Sequence, residues 1–336
     1  MRPRLARAAA IEAALVVLLL AAQALLDTRA IHSATNYDEG VYLAATDAVR
    51  HGQALGSDVF AAQFPGFYDL LRIVSVFGID SLTGFRAAMV AVTMLGTIGA
   101  WLVGRRFGGA FGGLAAAALL VVAPPLDLFG FQVIADMPAI ALTILALGVA
   151  TLPGAVAAAA AGAVFAGAVS IKLTAITAAP VLLWLVWRRL VPAVAGAAAV
   201  AVALLAVHAR ALDDLWASAV TYHERARSTP DVIAHPHREI FRQIPVRTPF
   251  FWIALAAASA AALRVALRRP LRPWVLWTWP PLAVAFLLWH APLHHNHLVL
   301  FPAALAVAAG ATVGALAPSR TAVYAATASE IGRAHV

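Results

Sequence analysis

The chain has 336 residues, 62% of them hydrophobic and only 12% charged, with a mean hydropathy of +0.85 and a formal charge of +8. Soluble domains carry about 25% charged residues, so this composition with long apolar runs excludes a soluble globular protein and implies a polytopic membrane protein. The basic balance comes from arginines flanking apolar spans, with no basic, aromatic-interleaved segment to carry nucleic acid, and the absence of cysteine removes disulfides and thiolate metal sites.

In chain order, Arg2, Arg4 and Arg7 precede the apolar run Ala8–Leu26. It is long enough to span and further spans follow, so it reads as an uncleaved first helix rather than a signal peptide. Residues 27–83 form a long outer segment. Within it Phe64–Ile79 is apolar but interrupted by Asp69 and Arg72, and is expected to lie at the interface. Gly84–Val103 is the next span, ending at Arg105-Arg106, and Gly108–Leu126 follows, stopped by Pro124-Pro125. Val133–Leu152, Gly154–Ile171 and Leu173–Trp187 come next, the last closed by Arg188-Arg189. Ala193–Val207 leads into a second outer segment at 210–248. Phe250–Leu267, Trp274–Trp289 and Leu298–Ala317 complete an all-α architecture of about ten transmembrane helices. Trp274, Trp277, Trp279 and Trp289 are expected to form an interfacial aromatic belt. Gly and Ala crowd the spans, which permits close helix packing and also fits GC-rich coding. The closing Glu330–Val336 is what a common sequencing adapter encodes in one reading frame. Residues 330–336 are therefore expected to be read-through, and 321–329 the start of a truncated further span, leaving 1–320 as the transmembrane domain.

The charges orient this arrangement. With the N-terminus cytoplasmic, Arg2, Arg4, Arg7, Arg105, Arg106, Arg188, Arg189, Arg268, Arg269 and Arg320 fall inside, as the positive-inside rule demands. Arg29, Arg86, Arg210 and Arg247 are the exceptions near span ends. Nearly all acids fall outside, Glu12 and Glu330 excepted. Functional polar residues thus gather on the extracytoplasmic face.

The chemistry concentrates in a few places. Asn36–Tyr42 sets Asp38 and Glu39 between Tyr37 and Tyr42, and a carboxylate at a membrane surface can act as a general base. The plain alternative is a solvated acidic loop. Asp136 opens a span, as a functional ionisable group or as a helix cap ahead of Pro138. Lys172 is the one lysine of the chain, a phosphate ligand or an interface anchor. His223, Arg225 and Arg227 form a phosphate clamp or a solvated loop. His294, His295 and His297 match no metalloenzyme spacing, so no metal site is indicated, and phosphate contact is expected of them.

These residues, in this order, resemble the GT-C superfamily, the protein mannosyltransferases and aminoarabinose transferases that use polyprenyl-phosphate sugars. The likeness runs from Tyr37-Asp38-Glu39-Gly40-Val41-Tyr42 and Gln63-Phe64-Pro65-Gly66-Phe67-Tyr68 to Arg86, Ala135-Asp136-Met137-Pro138 and Ser170-Ile171-Lys172. It continues through Tyr222-His223-Glu224-Arg225 to His294-His295-Asn296-His297. One departure is Gln63-Phe64 ahead of Pro65, where many relatives carry a basic residue; the Gln63 amide still donates hydrogen bonds. The resemblance implies an inverting transfer of a sugar from a polyprenyl-phosphate donor to an acceptor hydroxyl, outside the inner membrane. It implies Asp38 as the catalytic base, with Glu39 and Asp136 completing the catalytic set by orienting the acceptor or Asp38, and donor-phosphate contacts from Lys172, His223, Arg225, Arg227, His295 and His297. It further implies acceptor or sugar contacts from Tyr37, Tyr42, Gln63 and Tyr68. The only partners implied are the lipid-linked donor, the acceptor and the bilayer. A transporter or flippase and an inactive membrane scaffold are the alternatives.

Overall fold

The computed structural model describes residues 2–123, 129–228, 272–290 and 293–316, with positions 256 and 259, and among these every regular element is helical. The expected span at 250–267, the outer segment beyond 228 and the tail at 317–336 lie outside the described residues.

α1 (Arg2–Thr28) has an apolar stretch at Ala6–Thr28 long enough to cross a bilayer. α2 (Tyr37–Arg50) and α3 (Pro65–Val76) fill the segment that follows. α4 (Leu82–Val121) is broken once, at Gly109, where φ is 65°. Glycine takes this conformation without a Cβ clash. Gly113 lies against Trp101 and Gly104 against Gly112, so α4 folds back into two antiparallel arms. These are the two expected spans.

α5 (Asp136–Ala150) and α6 (Ala155–Ile171) follow. A 3-10 turn at Leu173–Ala178 leads into α7 (Ala179–Val186), and a second at Trp187–Arg189 into α8 (Leu190–His208). Arg189 donates to the carbonyls of Ala150, Leu152 and Gly154, at the far end of α5. His208 donates to Asp69 on α3 at 2.8 Å, back at the near end. The apolar run Leu173–His208 is therefore traversed down and up, as two spans. α9 (Leu212–Trp216), a π-helical turn at Ala217–Thr221 and α10 (Tyr222–Ser228) cap that end. A 3-10 turn at Arg272–Thr278 precedes α11 (Trp279–Trp289), and another at His295–Val299 precedes α12 (Leu300–Leu316).

α5 sits at the centre, buried along most of its length between α4, α6 and α7. Lipid offers no hydrophobic drive between helices, so association depends on close van der Waals approach. A Cβ on Gly99 would meet the backbone of Ile144 and Leu145, and Gly148 lies against Gly99. α12 packs on the second arm of α4 in the same way, with Gly310 against Ala116 and Gly314 against Gly112. The abundant small residues therefore serve packing. Hydrogen bonds add direction. Thr97 donates to Gln23 at 2.7 Å, and Glu12 accepts from Trp101 at 3.0 Å and Arg105 at 2.9 Å. Glu12 is thus paired within the bundle rather than solvated.

The aromatic belt is only partly realised. Trp274 and Trp289 are half exposed, but Trp279 is buried and donates to Thr177 at 3.0 Å, and Trp277 donates to Thr312 at 2.9 Å. Interhelical threonines draw these two indoles inward. In the outer segment, α3 buries Phe67, Tyr68 and Leu71 and leaves Ile73 and Val76 exposed. It is a surface-lying amphipathic helix in form, somewhat shorter than the expected Phe64–Ile79.

Candidate active site

The site begins with a capped helix. Asn36 ends the extended chain before α2, its Oδ1 accepting from the Glu39 amide at 2.8 Å, while Glu39 Oε2 accepts from the Asn36 amide at 3.2 Å. This reciprocal capping box fixes the first turn of α2 and the rotamer of Glu39. Arg86, at the start of α4, closes on the same carboxylate as a fork, with Nε to Oε1 at 2.8 Å and Nη2 to Oε2 at 2.6 Å. Arg86 Nη1 donates to the carbonyls of Ile31 and Ser33, Nη2 also to that of Ala34, and the guanidinium lies 5.3 Å from the centre of the Phe131 ring. The Val133 amide adds a further donor to Glu39 at 3.0 Å.

Both partners are essentially inaccessible, at 0% for Glu39 and 1% for Arg86. Burial works to raise the Glu39 carboxyl, but Arg86 and the Val133 and Asn36 amides outweigh it and hold it below the ordinary value. Glu39 is thereby a fully engaged carboxylate that ties α2, α4 and the 131–133 turn together. Arg86, an exception to the charge rule in sequence, is a buried partner and not a flanking charge.

Asp38 is its opposite. It sits in the first turn of α2, exposed, with no hydrogen-bond partner among the described residues. The positive end of the helix favours a carboxylate there. Four residues on, Tyr42 is buried, its hydroxyl accepting from Gln63 Nε2 at 3.0 Å. Burial raises the Tyr42 hydroxyl well above its usual range, and the Asp38 and Asp136 charges add to this, which places both acids within its field. Tyr42, Phe67 and Tyr68 meet edge-on and form the floor under α2.

Asp136 is the first residue of α5 but not its cap. That place falls to Ala135, and no side-chain cap bond forms. Instead Asp136 Oδ2 accepts from Lys172 Nζ and from Asn296 Nδ2, both at 2.7 Å. Its other oxygen, Oδ1, is buried with no hydrogen-bond partner among the described residues. Lys172 ends α6, largely buried, where α3 comes close: Gly66 lies directly on Ser170, and a Cβ there would collide. So Lys172 is neither a solvated anchor nor a free cation.

The histidines close the site. His297 is buried, accepts from the His294 amide at 3.2 Å, and packs edge-on to His290 with ring centres 4.6 Å apart. Burial, aided by Lys172, pushes His290 down to about 4. Burial also lowers His294, with Asp38 and Asp136 opposing and Lys172 reinforcing. His223 Nε2 donates to the Ala62 carbonyl at 2.8 Å. A carbonyl only accepts, so this bond fixes the proton on Nε2. Among the described residues no group of side chains has metal-binding geometry.

Of the residues singled out in sequence, Asp38, Glu39, Tyr42, Gln63, Asp136, Lys172, His223 and His297 share this end of the bundle. Tyr68 is buried in its floor. Tyr37 is 86% exposed on the surface side of α2. His295 is half-buried beside Asn296, and Arg225 is exposed on α10. The Arg227 side chain lies outside the described residues. Asn36, Arg86 and Asn296 complete the network without having been singled out as site residues. Asn36, three residues before Glu39, carried a capping-box pattern that could have been read. Asn296 stands inside the His294–His297 motif, but nothing in that motif pointed to Asp136 as its partner.

The sequence matches no family profile and no curated protein. The structure is similar to ArnT from Cupriavidus metallidurans bound to undecaprenyl phosphate, with TM-score 0.70 at 17% identity, covering 92% of this chain and 60% of that one. The apo form of ArnT gives TM-score 0.63 at 20% identity over 93% and 61%. The arabinosyltransferase EmbB from Mycobacterium smegmatis gives TM-score 0.55 at 16% identity over 91% and 30%. The chain thus spans about 60% of the length of ArnT. This is an all-helical, multi-pass membrane protein with the fold seen in ArnT and EmbB.

Proposed function

We propose that the chain transfers a sugar, with inversion, from a polyprenyl-phosphate donor to an acceptor hydroxyl at the extracytoplasmic face of the inner membrane, with its N-terminus cytoplasmic. The observation that carries this reading is the contrast at one site: Asp38 exposed and, among the described residues, without a hydrogen-bond partner, set against Glu39 locked beside it and Asp136 held with one oxygen unbonded among those same residues. Asp38 is the base. The acceptor oxygen attacks the anomeric carbon on the face away from phosphate, and its proton passes to the Asp38 carboxylate. The bond from that carbon to the phosphate oxygen breaks, its electron pair leaving with the polyprenyl phosphate. Positive charge builds on the sugar ring, as in glycoside hydrolysis.

Asp136 Oδ1 is a buried acceptor that a sugar or acceptor hydroxyl satisfies. Lys172 sits between that carboxylate and the departing phosphate. The remaining phosphate contacts come from His223, Arg225, Arg227, His295 and His297. Because His223 already donates through Nε2, it reaches a phosphate oxygen as a donor only when Nδ1 is also protonated. Glu39 acts by position, through Arg86, holding the turn that aims Asp38. Gln63 and Tyr42 act likewise beneath it, leaving Tyr37 as the exposed tyrosine for the acceptor side. The undecaprenyl phosphate bound to ArnT supports a lipid of this class. A transporter places ionisable groups near the bilayer midplane. Here the buried pairs stand at helix termini, Asp136 beginning α5 and Lys172 just after α6.

Incubation of the purified chain with a radiolabelled polyprenyl-phosphate sugar and candidate acceptors tests the reading. Label should pass to the acceptor or to water and fall about 10²–10⁴-fold in Asp38→Asn, the usual contribution of a general base. No turnover of any polyprenyl-phosphate sugar by the folded protein would count against it.

A further inference from the structure

A second concave site lies at the other end of the bundle. It is a cavity of about 580 Å³ between the turn of α4, the end of α5 and the link from α7 to α8. Arg106, Arg188 and Arg189 line it with Thr151, Trp184 and Trp187, and no acidic side chain is among the lining. The arginines differ in what they do. Arg189 donates to the carbonyls of Ala150, Leu152 and Gly154. Those oxygens form the negative end of α5 and the turn after it, and would otherwise repel an anion; the guanidinium neutralises them. Arg106 and Arg188 are exposed and have no hydrogen-bond acceptor or ion pair among the described residues. Nearby, Glu12 is already taken by Arg105. Arg188 lies over the Trp187 ring at 5.4 Å, so its fork is held at the cavity and not loose.

The walls suit a lipid. Trp184 and Trp187 are 47% and 66% exposed, and Leu183 and Val191 beside them are also uncovered. Exposed indoles belong at headgroup depth, with aliphatic side chains along the acyl region. Basic pockets between transmembrane helices are suited to anionic headgroups. We propose that this cavity binds the phosphate of an anionic diacyl phospholipid, Arg106 and Arg188 gripping its oxygens and the acyl chains running along Leu183 and Val191. The site faces the leaflet opposite Asp38. Its occupancy does not depend on which sugar, if any, the chain transfers.

Native mass spectrometry of the intact chain released from detergent, titrated with phosphatidylglycerol or phosphatidylcholine, reads this directly. Phosphatidylglycerol should bind saturably and at least about tenfold more tightly, since both headgroups offer the same phosphodiester but phosphatidylcholine sets a quaternary ammonium against Arg106, Arg188 and Arg189. R106A/R188A should lose that preference while its thermal unfolding in detergent stays close to that of the parent. R106K/R188K, which keeps charge but not the fork, should fall between them and serves if the alanine variant does not fold. Equal binding of the two lipids, or undiminished preference in a folded variant, would overturn the proposal. Inorganic phosphate binding as tightly as phosphatidylglycerol would assign the cavity to free anions instead.

Discussion

The two ends of the helical bundle handle charge in opposite ways. Where α4 and α5 begin and α6 ends, the ions are buried and paired: Glu39 with Arg86, Asp136 with Lys172. Some 21 Å away along α5, at about 1.5 Å per residue, arginines stand exposed around tryptophans. Taking charges out of water is costly, and a buried pair rarely adds stability over well-packed apolar residues. A protein that keeps two such pairs at one end is fixing geometry there. The exposed end carries its charge at little cost and suits orientation in the bilayer and contact with headgroups. In this contrast Asp38 is the outlier, an exposed carboxylate with no hydrogen-bond partner among the described residues.

Breaking the locked end should cost most. Arg86→Ala leaves Glu39 buried without its fork and orphans the carbonyls of Ile31 and Ser33, so a loss of about 3–5 kcal/mol is expected, read as thermal unfolding in detergent. A near-neutral result would show that α2 is not anchored through this pair. Lys172→Met should cost less, about 2 kcal/mol, because Asn296 still holds Asp136. It should also weaken donor binding, and unchanged donor affinity would separate Lys172 from the phosphate. At the other end, Arg105→Ala withdraws a half-exposed guanidinium from the buried Glu12, which Trp101 still holds, and should cost less again, about 1 kcal/mol. A larger loss there would erase the contrast between the two ends.

The pH dependence sharpens the same comparison. Burial holds His290 at about 4, below the usual value of 6.5, so it folds as the neutral ring. The unfolded chain takes up that proton first as pH falls. Its contribution to stability is therefore complete above pH 6.5, declines between 6.5 and 4, and is lost below. His290→Asn should flatten the slope of unfolding temperature against pH in that window. An unchanged slope would place the effect on another group.

Much of the architecture was legible because the bilayer writes in long apolar runs and flanking arginines. Gly84–Val103 and Gly108–Leu126 emerged as separate spans because Arg105-Arg106 interrupts them, and the chain indeed turns there, at Gly109, one residue inside the second expected span. Leu173–Trp187 and Ala193–Val207 separated for the same reason at Arg188-Arg189. The pairings were not legible. Glu39 meets Arg86 across 47 positions, and Asn296 meets Asp136 across 160, distances over which periodicity says nothing. Trp277 and Trp279 read as belt residues because the threonines that receive their indole N–H groups lie on other helices. The resemblance separates Asp38 as base from Glu39 as its orienting neighbour, but the residues themselves do not say which of the two is buried. A helix separates neighbours by about 100°. That turn sends one carboxylate into the bundle and the other out to the surface.

The most direct test is transfer by Asp38→Asn from a labelled polyprenyl-phosphate sugar, measured beside Asp38→Glu and with unfolding temperature recorded for each. The account predicts that Asp38→Asn unfolds with the parent yet transfers about 10²–10⁴-fold more slowly, with Asp38→Glu recovering part of the rate. A folded Asp38→Asn protein that transfers sugar at the parent rate would contradict it.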